Sequence, residues 1–139
     1  VVFGQHVRAV RGQVEEAAIK TTLGALRTTI VLHQLQQQVQ GEHAPDPQGS
    51  IDERNPFELL QRHPANYAGL INARESDLVL PGHWVFEPVC VCIGYRPTDP
   101  KWLASASGDS MLWFAVSSPP GPRMINAREV YWWQGNLLN

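Results

Sequence analysis

Long apolar runs and a strong excess of one charge are both missing from this sequence. No stretch approaches the roughly 20 apolar residues that a membrane-spanning helix needs, and no signal-peptide regions are recognisable. The chain has 11 basic and 13 acidic residues and a formal net charge of −2. The chain has no excess of positive charge that would attract nucleic acid, so no nucleic-acid partner is expected. The length and composition fit one globular domain.

Cysteine is also scarce, with only Cys90 and Cys92 in the chain. If the segment is an extended strand, both side chains point to the same face. Their Cα atoms then lie near the outer limit for an unstrained disulfide. We expect two buried small apolar side chains here. A strained disulfide between them and an intermolecular bond are the alternatives, so cysteine usage does not identify the compartment.

Proline and the Asn-Gly and Asp-Gly turn signals are absent from the first forty residues, where apolar side chains recur at helical spacing. This pattern predicts a long helix over residues 1–40, closed by Gly41 and Pro45. An uninterrupted helix of that length spans roughly 60 Å. A domain of this size is only about 30 Å across. Part of the helix is therefore expected to project from the domain or to pack along a partner.

Apolar stripes run along the predicted helix in different phases. The first consists of Phe3, Val7, Val10 and Val14, followed by Ala17. The second consists of Ile19, Leu23, Leu26 and Ile30, and a third phase follows with Leu32, Leu35 and Val39. The change of phase indicates that the two ends of the helix face different surroundings. We expect the first stripe to be an assembly interface and the second to form the helix–sheet core.

The rest of the chain predicts a connecting loop and a β head. Residues 41–80 are expected to form the loop with one short helix near 56–62, because Asn55 is a good N-cap and Pro56 a good first residue. Residues 81–139 are expected to form an antiparallel head. Its predicted strands are Gly82–Pro88, Val89–Tyr95, Met111–Ser117 and Ala127–Trp133. The predicted fold class is α+β: one domain over 1–139, with the long N-terminal α-helix packed on a roughly four-stranded antiparallel β-sheet.

Signatures of catalysis, metal binding and cofactor binding are weak. The segment 108–112 (Gly-Asp-Ser-Met-Leu) resembles the nucleophile block of GDSL-type hydrolases, but no histidine follows His83 to serve as its base. No two histidines are three or four residues apart. A Cys-x-Cys without a second pair is weak evidence for zinc, and no glycine-rich phosphate loop is present. We expect no enzymatic activity, no metal and no cofactor.

Short motifs in the head point to a known family. They are Asn55-Pro56-Phe57-Glu58-Leu59-Leu60, Pro64-Ala65-Asn66-Tyr67-Ala68-Gly69, Pro81-Gly82-His83-Trp84-Val85-Phe86 and Tyr95-Arg96-Pro97. Together with the long N-terminal helix, they resemble a minor-pilin or pseudopilin-like subgroup of the type IV pilin and type II secretion pseudopilin superfamily. The resemblance covers most of residues 1–133 and implies a pilin-like fold.

The resemblance also implies a function. A minor pilin or pseudopilin is a structural subunit that polymerises into, or primes, a type IV pilus, an MSHA-like pilus or a type II secretion pseudopilus. The implied partners are other subunits, the assembly machinery and the bacterial inner membrane. The implied location is the periplasmic side of that membrane or an extracellular pilus.

Two family features are not matched. The peptidase-processed, methylated apolar segment of the family is not in this sequence, so the resemblance implies an N-terminally truncated domain. In that case Val1 lies part-way along the family's long helix. Cys90 and Cys92 also do not correspond to the usual pilin disulfide near the C-terminus.

A non-catalytic binding module is the alternative function. In that reading, surface aromatic side chains such as Trp102 or Trp133 form the contact surface of a tip adhesin. The adjacent Trp132 and Trp133 are expected to point in opposite directions, one to the core and one to the surface. A prepilin peptidase site upstream in the complete gene product would favour the pilin hypothesis.

Overall fold

The computed structural model describes residues 2–40, 54–117 and 122–138. The α-helices are α1 (Val2–Gln40) and α2 (Pro56–Leu59). The strands are β1 (Tyr67–Leu70), β2 (Trp84–Glu87), β3 (Cys92–Tyr95), β4 (Leu103–Ser105), β5 (Leu112–Val116), β6 (Ile125–Ala127), β7 (Tyr131–Trp133) and β8 (Asn136–Leu137). Short 3₁₀ helices lie at Ala73–Leu78 and Pro100–Trp102.

The strands form two sheets within the described ranges. The larger sheet has the order β1-β2-β3-β5-β6, and the smaller has the order β4-β7-β8. β1 runs parallel to β2, and the other neighbours are antiparallel. The fold is α+β with a long N-terminal helix packed on a sheet, as predicted. The prediction of one roughly four-stranded antiparallel sheet is wrong, because the larger sheet is five-stranded and mixed and part of the head forms a second sheet.

Two predicted elements are shorter in the structure. The short helix ends at Leu59 after about one turn, because Leu60 has an extended backbone. The predicted strand Val89–Tyr95 begins only at Cys92, because residues 88–91 form the turn that joins β2 to β3. A turn at this point lets β2 and β3 pair as neighbouring antiparallel strands.

The predicted strand Ala127–Trp133 is divided between the two sheets. β6 pairs with β5 in the larger sheet, and β7 pairs with β4 in the smaller. Between them the amide of Arg128 donates a hydrogen bond to the carbonyl of Trp113 over 3.0 Å. The strands β1, β4 and β8 have no counterpart among the predicted strands. None of these is longer than four residues, which leaves too little sequence for apolar alternation to show.

The main hydrophobic core lies between α1 and the larger sheet. α1 contributes Ile19, Leu23, Leu26 and Ile30, each no more than 2% exposed. The same cluster contains the side chains of Phe57, Trp84, Phe86, Ile93, Leu112, Phe114, Tyr131 and Trp133. Val79, Val85 and Met111 form a smaller cluster. All four residues of β2 are buried. Because successive side chains point to opposite faces of a strand, both faces of β2 are covered.

α1 is continuous over 39 residues, although a glycine within a helix costs about 1 kcal/mol relative to alanine. Close packing against the head explains why a glycine is present at position 12. The indole Nε1 of Trp133 donates to the Gly12 carbonyl over 2.8 Å, and a Cβ atom at position 12 would overlap the side-chain amide of Gln134. Within the described ranges, no helix combines the length and the apolar character needed to cross a bilayer.

Gly94 leaves space for an indole ring across two strands. It lies opposite Trp113 in the pairing of β3 with β5, and a Cβ atom there would be 2.6 Å from Cζ3 of Trp113. We expect Gly94→Ala to lower the free energy of unfolding by about 1–3 kcal/mol, the cost of overpacking a core. Urea unfolding measures this value.

Gly24 provides the matched control. A Cβ atom at Gly24 meets nothing within 4 Å, so Gly24→Ala should raise the free energy of unfolding by up to about 1 kcal/mol through helix propensity. If the Gly94 and Gly24 variants had the same stability, the close approach of Trp113 to β3 would not matter for folding.

Candidate assembly surface on the long helix

The side of α1 that faces away from the sheet is a continuous exposed surface, termed here the outer face. At 3.6 residues per turn, it occupies the half of the helix opposite the core residues Ile19, Leu23 and Leu26. It consists of Val10, Val14, Ala17, Ala18, Thr21, Gly24, Ala25, Thr28, Val31, Leu32, Leu35 and Val39, together with the polar His6, Gln13 and Gln36, and all of these are exposed. Among them Val14 is 63% exposed and Val39 87% exposed.

No charged side chain belongs to the outer face. The charged residues of α1 are Arg8, Arg11, Glu15, Glu16, Lys20 and Arg27. By helical periodicity, Arg8, Glu15, Glu16 and Arg27 project from the half of the helix that is centred on the core stripe, and Arg11 and Lys20 lie at the two edges of that half. Desolvating an uncharged aliphatic surface is favourable, whereas desolvating charge is costly. An exposed face of this kind is therefore typical of an interface.

Two of the charged residues hold α1 to the head. The carboxylate of Glu15 accepts from the backbone amide of Thr98 over 3.0 Å and also from the Thr98 hydroxyl. The guanidinium of Arg27 donates to the carbonyl of Ile125 over 2.9 Å. Burial, and then the negative charge of Glu15, raises the pKa of Tyr95 above its usual value. These contacts determine which side of α1 faces the sheet.

Hydrogen bonds among the described residues tie α1 to the head from Ala9 onward. The Nε2 of Gln134 donates to the Ala9 carbonyl over 3.2 Å. Since α1 begins at Val2, about two turns precede this contact. At the other end, α1 continues to Gln40, well past Ile30, its last residue in the main core. Among the described residues, the outer face therefore continues past the last residue that α1 contributes to the main core.

The structure separates the two predicted stripes onto opposite sides of α1. In the predicted interface, Val10 is 42% exposed and Val14 63% exposed, and both belong to the outer face. Val7 is half-buried. The side chain of Phe3 lies outside the described residues. The predicted core stripe from Ile19 to Ile30 lies against the sheet.

The C-terminal half of the outer face has no role among the sequence-based predictions. A heptad-like 3-4 spacing follows the middle line of this surface: Val7, Val10, Val14, Ala17, Thr21, Gly24, Thr28, Val31 and Leu35. The middle of this series is not hydrophobic, so a search for apolar stripes misses it. Small side chains at helix contacts allow shorter distances between helix axes. The middle of the outer face therefore suits close packing against another helix.

The tryptophans only partly match the predicted binding surface. Trp133 is fully buried and its ring centroid lies 5.8 Å from that of Trp102. The prediction of Trp133 as a surface aromatic is therefore wrong, because β7 turns this side chain into the core. Its neighbour Trp132 is 40% exposed, as the alternation along a strand requires. Trp102 is half-buried and lines a groove of about 770 Å³ together with Arg8 and Arg11.

The prediction of two unlinked buried cysteines is also wrong. Cys90 and Cys92 form a disulfide, the first of the alternatives left open by the sequence, with their Cα atoms 5.1 Å apart. This separation is within the usual range for disulfides. Cys90 and Val91 belong to the turn before β3, where Val91 has a positive φ of 58°, so the three residues do not form an extended strand. The assumption of an extended Cys-Val-Cys was the source of the error.

The Ser110 segment forms a turn. The Ser110 hydroxyl accepts from Nη1 of Arg96 over 3.2 Å, and a guanidinium cannot act as a general base. The carboxylate of Asp109 accepts from the amide of Met111 over 3.0 Å and from the indole N–H of Trp113 over 3.1 Å. In the part of the chain that the structure describes, no three His, Cys, Asp or Glu side chains come together as a potential metal site.

Comparison of the chain with models of known families, with curated proteins and with solved structures finds no match. Function is therefore inferred from the geometry of this chain. One side of α1 is fixed to the head by a buried stripe and by polar contacts. The other side is exposed, with aliphatic residues toward both ends, small residues in the middle and no Asp, Glu, Lys or Arg. Such a helix is suited to packing against other proteins.

Proposed function

We propose that this protein is a structural subunit that assembles through the outer face of α1. We further propose that it is a minor pilin or pseudopilin of a type IV pilus or a type II secretion pseudopilus. The uncharged, exposed outer face is the single observation that carries the assembly role. The long helix on a sheet and the resemblance of the head motifs support the assignment to pilins.

Burial of the outer face contributes enough free energy to drive association between copies. Burying a half-exposed valine or leucine contributes roughly 1–2 kcal/mol. The larger aliphatic residues of the outer face are Val10, Val14, Val31, Leu32, Leu35 and Val39. Both partners bury such residues in a contact between copies, so the summed contribution matches or exceeds the roughly 4–15 kcal/mol that association costs in lost freedom of motion. A helix surrounded by several neighbours gains such contacts repeatedly, which is the arrangement of helices in a filament core.

The predicted stripes have distinct roles in this proposal. Phe3, Val7, Val10 and Val14 contact neighbouring subunits, and the outer face extends this contact toward Val39. The stripe from Ile19 to Ile30 holds the head in a fixed orientation on the helix. The partners are other subunits and the assembly machinery, at the periplasmic side of the bacterial inner membrane or in an extracellular pilus. The protein acts without catalysis or cofactor.

The proposal is tested by following the complete gene product in its native host. An antibody against the head is applied to filaments sheared from the cells and to chemically crosslinked membranes. We expect the head antigen in sheared filaments, or in a ladder of crosslinked oligomers in the membrane fraction. A protein that is monomeric in every fraction would contradict the assembly role. Oligomers that contain no other pilin-like subunit would contradict only the pilin assignment.

A further inference from the structure

The disulfide between Cys90 and Cys92 has two sulfurs in different surroundings. It lies at the turn that joins β2 to β3. Cys90 is exposed, whereas Cys92 is fully buried. An external thiol therefore reaches the bond from the side of Cys90, and access is one of the conditions for thiol–disulfide exchange.

The residue between the cysteines is held in an unfavourable backbone conformation. Val91 has a φ of 58°, in the left-handed region that β-branched residues rarely adopt. Its carbonyl accepts from the amide of Val116 over 2.9 Å, and the amide of Cys90 donates to the carboxylate of the buried Glu87. The disulfide holds Val91 in this conformation together with these two hydrogen bonds, and opening it removes one of the constraints. The conformation of Val91 therefore makes the disulfide less stable relative to the two free thiols. Glycine at position 91 would not have this effect.

A cation lies next to the exposed sulfur. The Nη1 of Arg128 is 3.5 Å from Sγ of Cys90. A guanidinium attracts an incoming thiolate and stabilises negative charge on a departing sulfur. Arg128 lies immediately after β6, so this charge is supplied by a different part of the sheet from the turn.

We propose that the Cys90–Cys92 disulfide is a thiol–disulfide exchange site that acts on small thiols or exposed cysteines. A thiolate attacks Sγ of Cys90, a mixed disulfide forms, and Cys92 leaves as a thiolate that takes up a proton. A second thiolate then attacks the external sulfur, and Cys90 leaves as a thiolate beside Arg128. Two external thiols are thereby oxidised to one disulfide while the protein bond is reduced to two thiols. The inference is independent of the proposed assembly role.

Redox titration of the full chain tests the role of Val91. The protein is equilibrated in glutathione buffers at neutral pH, free thiols are alkylated, and the reduced fraction is measured by mass spectrometry. The midpoint is the ratio of [GSH]² to [GSSG] at which half of the protein is reduced. We expect this ratio to be about five- to thirtyfold higher for Val91→Gly than for the unaltered chain, because glycine adopts the left-handed conformation freely. Val91→Ala is the control for lost side-chain packing and should shift the midpoint less. Equal midpoints for the unaltered chain and Val91→Gly would overturn the proposal.

Exchange kinetics test Cys90 and Arg128. With Cys92→Ser, oxidised glutathione should form a stable mixed disulfide on Cys90. In the otherwise unaltered chain, Arg128→Gln should slow reduction by glutathione about two- to fivefold, the effect of losing one exposed charge contact, and Arg128→Lys should restore much of the rate. No adduct on Cys90, or equal rates for the Gln and Lys variants and the unaltered chain, would count against the exchange site.

Discussion

Replacing Leu26 by alanine is expected to lower the free energy of unfolding of the isolated domain by about 2–5 kcal/mol, the range for a buried leucine. Leu26 is fully buried and belongs to the cluster that joins α1 to the sheet. The substitution removes apolar contacts and leaves a cavity between two rigid elements, which the surroundings fill only partly. Denaturant unfolding, followed by circular dichroism and tryptophan fluorescence, measures the change.

Leu35→Ala is the matched control on the same helix. Leu35 is 50% exposed and lies on the outer face, so its truncation removes little buried surface. We expect it to cost less than about 1 kcal/mol, and the higher helix propensity of alanine offsets part of that cost. A loss at Leu35 as large as that at Leu26 would show that the outer face is packed within the monomer, which would remove the basis for the assembly surface.

The helix and its core stripe were predictable because a local signal specifies both. Helical periodicity puts Ile19, Leu23, Leu26 and Ile30 on one side of a segment without proline. No short-range pattern specifies the parallel pairing of β1 with β2. It depends on contacts distant in the chain, such as the hydrogen bond from the Trp84 amide to the Asn66 carbonyl over 2.8 Å.

The other wrong predictions also concern features that no local sequence pattern specifies. Ala127–Trp133 has the composition of one strand, and its division depends on pairing with two partners distant in the chain, β5 for its first part and β4 for its last. The disulfide depends on the backbone of Val91, and a valine gives no sequence signal for a left-handed conformation. Burial of Trp133 follows from its contacts with Gly12 and Trp102, which belong to other elements.

The candidate assembly surface was only half predictable. Valine spacing identified its first part, from Val7 to Val14. The rest of the surface consists partly of small residues, which give no hydrophobic signal. Recognising it also requires knowing where each charged side chain lies relative to the core. The charge pattern is clear only once the core side of α1 is known, because Arg27 and Glu15 then prove to be contacts to the head. A search for uncharged helix faces, and not only for hydrophobic ones, would have found it.

Placing a carboxylate on the outer face is expected to abolish assembly while the monomer stays folded. Leu35→Asp and Val14→Asp each introduce a charge at a position that is solvated in the monomer and buried in the proposed assembly. An unpaired charge buried in an interface costs about 3–5 kcal/mol, which lowers an association constant by about a hundredfold or more. In the monomer the same carboxylate stays hydrated, so its cost is small. Incorporation into filaments or crosslinked oligomers is measured in the native host, and the unfolding midpoint on the purified domain.

Gln37→Asp is the control for Leu35→Asp. Gln37 is also exposed and lies two residues further along α1, but helical periodicity turns it to the core-facing half of the helix. It introduces the same residue, with the same helix propensity, near the same helix end. We expect Gln37→Asp to assemble normally and Leu35→Asp to fail. If both variants assembled, the outer face would not be buried between subunits. If both failed with unchanged monomer stability, the effect would come from added charge on the helix end and not from the outer face.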